Sequence, residues 1–343
     1  MILLQQLPVR VRDLIRSGIN SSFTTISAAG VPIDTPLLLF YAEDLSTLDF
    51  GTGLAYPAKA ERARRNPRVG LLIEGGKQDP VISIAGMAAV RDSDIQKNSI
   101  RYISEVAHYG PSLMQPWEVA HKAVWYWSRI IMEVMPSRVM WWENRAAMDG
   151  PPHILEQPAG TVYPESDPAP VASASKAIAW PADPWQEHIR GFLDRNAPGQ
   201  LSLFAQNGFA LPFTARNIRL DGDSLVMEMP KGLPWTQTSG TAGFTYEGRA
   251  TFVGDVSKQG TTYRFRIERM LPYMPMVIRG EQVLLPDGKE DLLARLRSEL
   301  GRRGQDIPDI PAIKPAATPG SERRQAWIEA IQQRAAARGA AQL

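Results

Sequence analysis

The chain has 343 residues, of which 44% are hydrophobic and 22% charged, so a disordered or fibrous protein is excluded and about two domains are expected. Lys and Arg number 38 against 36 Asp and Glu, a formal charge of +2 that gives no overall field to hold a polyanion, and no nucleic-acid partner is expected. Cysteine is absent and only four histidines occur (His108, His121, His153 and His188), which removes disulfides, thiolate metal sites and a cysteine nucleophile, and no metal centre is expected.

The N-terminus runs Met1-Ile2-Leu3-Leu4, and Arg10, Arg12 and Asp13 follow at once. That order predicts no export signal, and no stretch reaches the ~18–20 apolar residues of a membrane span. A soluble, cytoplasmic protein without a membrane partner is expected. Phe23–Ser27 predicts a first strand, Leu37–Tyr41 a second and Leu45–Phe50 a third, with Gly30 in the first turn. Pro57–Arg65 predicts a small helix, stopped at Asn66-Pro67. Strands over Val69–Ile73 and Val81–Val90 follow, then helices over Ser93–Ala107 and Trp117–Trp125, then short strands over Arg129–Val134 and Arg138–Trp142. Many short strands with one small helix inserted predict a closed barrel.

Residues 149–184 are rich in Pro, Ala and Ser and predict an extended linker. Beyond it the order repeats in outline. A helix at 185–195 precedes strands at 200–204, 210–213, 218–220, 224–229, 243–254 and 261–269, and a helix at 289–301 follows. Arg264 and Arg266 share one face of the last strand, which predicts a solvent-facing edge guarded by charge. A diverged internal duplication is the expectation. The domains are then 1–148, a first barrel; 149–184, the linker; 185–305, a second barrel; and 306–343, a Pro-rich segment with a tail helix at 321–338.

The chemistry concentrates in residues 49–73. A strand ends in Gly51-Thr52-Gly53, and a cationic helix carrying Lys59, Arg62 and Arg65 follows. Small residues let a ligand approach the backbone, and cations one turn apart suit a phosphate. The same cations would equally make a solvated helix face. Trp117, Trp125, Tyr126, Trp127, Trp141 and Trp142 form either core or a wall against an aromatic ligand, with Trp127 the pocket candidate and His108 and His121 beside it. Neither a nucleophile elbow nor a dinucleotide fingerprint is present, and no catalytic base is assigned.

Several features occur in order: Ala28-Ala29-Gly30-Val31-Pro32, Thr35-Pro36, Phe50-Gly51-Thr52, Lys59, Asn66-Pro67-Arg68-Val69 and Ile84-Ala85-Gly86-Met87-Ala88. With Arg129–Val139 and Trp141-Trp142 they make residues 20–145 resemble the pyridoxamine 5′-phosphate oxidase-like family of FMN-binding split β-barrels. The resemblance implies two tandem split β-barrels, mainly β with helices, and a helical tail. It implies FMN between two barrels, with Phe50, Gly51 and Thr52 beside the flavin, Lys59 on its phosphate and Arg62 as a second cation. Thr35 stands where many members carry a basic residue, and Pro57 where many carry Ser, so F420 or haem are the alternative cofactors. His108 or His121 would be the haem ligand. The implied activity is FMN-dependent oxidoreduction of a small aromatic or heterocyclic molecule, with Trp127 and His121 on the substrate side and NAD(P)H or O₂ as co-substrate. A non-catalytic flavin-binding module is the other alternative. The second copy has no Lys…Asn-Pro-Arg stretch, which implies a pseudo-dimer within one chain, or a homodimer of such chains.

Overall fold

The computed structural model describes residues 2–17, 20–106, 117–172, 184–246, 250–272, 277–279, 282–284 and 289–318. The expected tail helix at 321–338 and His108 lie outside the described residues.

Helix α1 (Val9–Arg16), not among the expected elements, buries Val11, Leu14 and Ile15 along one face against the first barrel. Strands β1 (Asn20–Ile26) and β2 (Pro32–Tyr41) form the first hairpin. The third strand, β3 (Leu48–Gly53), starts later than expected, because Leu45 lies in the preceding turn at φ +59°. Helix α2 (Ala58–Arg65) ends where expected; Asn66, held extended before Pro67, cannot continue it. Strands β4 (Arg68–Glu74) and β5 (Val81–Arg91) form a second hairpin, and helix α3 (Ile95–Val106) follows. The expected helix over Trp117–Trp125 is two short turns, α4 (Trp117–Ala120) and α5 (Val124–Trp127). The two strands expected after it are one, β6 (Arg129–Trp142). Pro136 interrupts the sequence pattern, but it stands opposite Gly86 at a register shift, where a bulge absorbs the missing N–H.

The strand order is β3-β2-β1-β4-β5-β6, and β6 pairs back with β3 to close a barrel. Phe23, Leu39, Phe50, Leu71, Ile84 and Met132 fill its interior. Within the expected linker, residues 153–156 and Asp167 are tied to the first barrel. Strand β7 (His153–Glu156) extends the sheet on β6, and the Asp167 carboxylate accepts the N–H groups of Asp92 and Ser93 at 2.9 Å.

The second copy begins with helix α6 (Trp185–Asp194) and strands β8 (Gly199–Phe204), β9 (Ala210–Thr214), β10 (Arg216–Asp221) and β11 (Ser224–Glu228). The single strand expected over 243–254 is a hairpin, β12 (Ser239–Tyr246) and β13 (Ala250–Gln259), followed by β14 (Thr262–Met270). A small ribbon, β15 (Val277–Arg279) and β16 (Gln282–Leu284), precedes helix α7 (Lys289–Arg303). The sheet order is β10-β11-β14-β13-β12-β8-β9. Strands β9 and β10 are the two halves of one path, broken at Ala215, and together they correspond to β2. Taken so, the second sheet repeats the cyclic order of the first. β14 lies inside this sheet, between β11 and β13, so its arginines do not guard an edge; Arg266 instead pairs with Asp255 on the solvent face at 2.9 Å.

The repeat extends to details. Gly30 and Gly208 both have φ +76° in turns of equal length, and the register shift at Ala85/Gly86 recurs at Val253/Gly254. The copies meet through the outer faces of β1, β2 and β4 and of β8, β9 and β12. A side-chain atom added at Gly70 of β4 would fall closer than 3.0 Å to the carbonyl oxygen of Ala210, which starts β9. One added at Gly243 of β12 would meet the carbonyl oxygen of Pro32, which starts β2, in the same way. Ser22 Oγ donates to Gln200 Oε1, the residue 178 positions on that occupies its own equivalent place. These paired contacts describe a pseudo-twofold axis, the symmetry of an isologous dimer contained in one chain.

The last helix returns to the first barrel. Leu292, Leu296 and Leu300 of α7 join its core. Beside them Arg303 bonds Glu299 at 2.6 Å and Asp92 at 2.9 Å, and Arg302 bonds Glu299 at 2.6 Å. Asp92 also takes Arg64 of α2 at 2.7 Å, so α7 holds the small helix from behind.

Candidate functional site

Helix α2 has two unlike faces. Glu61 and Arg64 face the ion network of α7. Lys59 and Arg62, also one turn apart, belong to the other face. Arg62 Nε donates to Thr25 Oγ1 of β1 at 2.7 Å, and Arg65 reaches the carbonyl of Ile26 at 3.3 Å. Lys59 is half-buried and has no ion-pair partner among the described residues. Burial, with Arg62 and Arg129 nearby, pushes its ammonium down to about 8. Burial, with Arg65 nearby, pushes Arg62 down to about 10. The carboxylates near this helix, Glu61 and Asp92, are drawn to Arg302, Arg303 and Arg64. The result is a group of partly desolvated cations without a counter-ion, a state that costs free energy until an anion arrives.

The strand beside it divides the other expected residues. Phe50 and Thr52 of β3 turn into the barrel, where Phe50 packs on Phe23 with ring centroids 4.8 Å apart. The Thr52 hydroxyl is buried there without a partner, as is that of Thr35, which stands opposite Phe23. Gly51 and Gly53 face outward. Both permit a close approach, and in the structure the groups that approach are tyrosine rings. A Cβ on Gly51 would lie 2.6 Å from Tyr102 of α3, and one on Gly53 would collide with Tyr56.

The aromatic residues form a buried chain rather than an open wall. Trp127 is 1% exposed, and its indole N–H donates to the Ala120 carbonyl at 2.6 Å. Its ring meets Trp117 at 5.2 Å and Tyr102 at 6.3 Å. The expectation of Trp127 as a pocket wall gives way to a core role, because α4 and α5 fold over it. His121 is half-buried, with Nδ1 2.8 Å from the Trp117 carbonyl. It contacts Trp117 rather than the α2 cations, with ring centroids 6.2 Å apart.

The sequence reading gave no site role to Arg129, Tyr56, Tyr102 and Tyr126. Arg129 lies across from Gly53 in the β3–β6 ladder and comes close enough to Lys59 to lower its pKa. Periodicity treats it as the first residue of a strand; only the fold shows that no acid accompanies it among the described residues. A separate cleft of 370 Å³ opens between Arg68, Met87 and Arg138 of the first copy and Asn207, Phe209 and Pro234 of the second. No group of His, Asp and Glu suited to a metal occurs among the described residues.

The closed order of the first sheet and its repetition in the second decide the architecture. The fold is a tandem split β-barrel. No family model matches the chain, and no curated protein matches it. Solved structures that match parts of it include a pyridoxamine 5′-phosphate oxidase-related, FMN-binding protein from Nostoc punctiforme, 14% identical, with a TM-score of 0.28 over 38% of this chain and 77% of that one. An F420 reductase is 14% identical, with a TM-score of 0.31 over 40% of this chain and 100% of that one. General Stress Protein 26 from Bacillus anthracis is 14% identical, with a TM-score of 0.30 over 46% of this chain and 100% of that one. No helix among the described residues is long and apolar enough to cross a membrane.

Proposed function

We propose that the tandem barrel is an FMN-dependent oxidoreductase acting on a small organic substrate, aromatic or heterocyclic. The observation that carries this reading is the uncompensated cationic face of α2, Lys59 with Arg62, in the one copy that keeps the helix. These residues fit the phosphate end of the cofactor: Thr25 holds Arg62, Lys59 is half-buried beside it, and no side-chain carboxylate pairs with either among the described residues. Bound FMN supplies hydride transfer at its ring N5, so the chain needs no catalytic base of its own.

The chain's residues then have simple tasks. Lys59 and Arg62 fix the phosphate, and their neutralisation on binding offsets the cost of burying them. The second copy supplies the facing wall, and the pseudo-twofold contact at Gly70 and Gly243 sets its distance. One chain thus provides both halves of a site. NAD(P)H or O₂ completes the reaction as co-substrate. In the second copy residues 229–238 replace the helix, so one cofactor per chain is expected.

The test is an absorption spectrum of the purified protein, as isolated and after incubation with FMN and desalting. Oxidised-flavin bands at one FMN per chain support the reading. Retention of F420 in place of FMN moves the chemistry to a deazaflavin, and a Soret band moves it to haem. A colourless protein that retains neither flavin overturns it.

A further inference from the structure

One cation near α2 is buried with no acid to neutralise it among the described residues. Arg129 is 4% exposed. Its guanidinium is held against the rings of Tyr102 and Tyr126, 4.1 and 4.4 Å from their centroids. Nη1 donates to the Tyr56 hydroxyl at 3.4 Å, while Nε and Nη2 have no hydrogen-bond partner. No carboxylate pairs with it among the described residues. Burial raises the phenols of Tyr56 and Tyr102, so neither brings a negative charge. The charged neighbour is Lys59, a second cation.

Two other well-covered arginines have acids, Asp92 for Arg64 and Glu299 with Asp92 for Arg303. Arg129 has none among the described residues, and as a whole residue it is more deeply buried than either. A guanidinium clamped by two rings keeps its plane fixed, and stacking on tyrosine recovers only part of the desolvation cost. The two idle donors lie on one edge of the guanidinium, parallel and spaced as a carboxylate or phosphate oxygen pair requires. Tyr56 and Tyr126, which flank the guanidinium, are only half-buried.

We propose that Arg129 is an oxyanion receptor, whose Nε and Nη2 edge takes a carboxylate or phosphate in fork geometry, with Lys59 as its second cation and Tyr102 and Tyr126 fixing its plane. The proposal deepens the cofactor reading and rests on it only for which oxyanion arrives. The oxyanion is either the cofactor's own phosphate or the carboxylate of a separate ligand.

The experiment uses the full chain, wild type and Arg129→Gln. Affinities for FMN and for riboflavin, which lacks the phosphate, are measured by flavin fluorescence. Thermal unfolding is followed in phosphate, benzoate and chloride at matched ionic strength. If the cofactor phosphate is the oxyanion, Arg129→Gln weakens FMN by ~10-fold or more and leaves riboflavin unchanged. If the carboxylate is separate, the FMN-to-riboflavin ratio survives and the rise in Tm given by benzoate disappears. A wild-type Tm equal in all three salts together with an unchanged FMN-to-riboflavin ratio overturns the proposal, and so do anion effects that persist in the variant. Should the chain bind no flavin, the cofactor reading fails while the salt series still decides Arg129. Should Arg129→Gln not fold, Arg129→Lys keeps the charge without the fork, and a ligand affinity equal to wild type overturns the proposal.

Discussion

The two copies of the barrel share a strand order, a turn and a bulge, and part company between the third and fourth strands. There the first copy inserts α2 with its cations, and the second passes through residues 229–238 without a helix. The face-to-face contact between the copies is nearly symmetric, while the cationic helix stands in one copy alone among the described residues. Packing at the axis constrains both copies equally, since each glycine admits the other's strand. The cationic helix has no such partner at the axis, so one copy can lack it without disturbing the interface.

The largest effect is expected where the symmetry is tightest. Gly70→Ala and Gly243→Ala each drive a methyl into a carbonyl oxygen of the opposite copy, against backbone that cannot swing aside. Each substitution is expected to cost about 3 kcal/mol or more in chemical denaturation, the upper range for overpacking. Near-equal losses sharpen the comparison; a neutral result at either glycine breaks it.

Next comes the asymmetry of function. Lys59→Ala is expected to weaken FMN by about 1–3 kcal/mol, the worth of a charge-assisted contact. Lys231→Ala, in the stretch that replaces the helix, is expected to leave FMN affinity unchanged. Equal losses from the two lysines would show that the second copy also holds a phosphate.

A third test concerns the axis itself. Asp34 of β2 is 1% exposed and corresponds to Pro212 of β9. Its backbone carbonyl accepts the hydroxyls of Thr245 and Thr251 at 3.2 Å, and Thr24 Oγ1 donates to its carboxyl at 3.3 Å. Burial, opposed by the hydrogen bonds of Thr24 and Ser22, pushes the carboxyl up to about 7. A raised carboxyl binds its proton more tightly in the folded chain, so its contribution to stability is full below about 4 and is lost as pH rises to about 7. Asp34→Asn is therefore expected to match wild type near pH 4 and to become the more stable of the two as pH rises to about 7. Parallel stability curves would place the Asp34 carboxyl in water.

How much of this was legible in the sequence depends on which interactions are local. The first barrel was readable because Gly30, Asn66-Pro67 and the alternating apolar residues each act within a few positions. Strand β6 was read as two because Pro136 mimics an end, and only its partner Gly86 shows that it is a bulge. The break between β12 and β13 carries a turn signal, Glu247-Gly248-Arg249, that the single-strand expectation over 243–254 passes over. At the site, the pairing of Lys59 with Arg62 was visible as helical spacing. For Trp127 composition leaves wall and core both open, and only the packing of α4 and α5 shows how deeply it is buried. Arg129 was invisible as a site residue, since what marks it is the absence of an acid in three dimensions.

The smallest effect expected is a pH slope, and it separates the α2 cations from an ordinary solvated face. Without ligand, Lys59 titrates at about 8 instead of 10.5, so the folded chain gives up this proton before the unfolded chain does. Stability from this residue therefore rises between those values, because deprotonation removes a buried cation. A bound phosphate holds the proton on Lys59, so FMN affinity runs the other way. It is expected to be flat below about 8 and to fall above it, by at most about tenfold per pH unit. Lys59→Gln is expected to abolish the fall while leaving weaker binding throughout. Fluorescence titrations of FMN between pH 6.5 and 9.5, roughly a unit and a half either side of that value, check both statements. A solvated lysine would keep its ordinary pKa and show no break near 8, and Lys59 would then have no part in holding the anion.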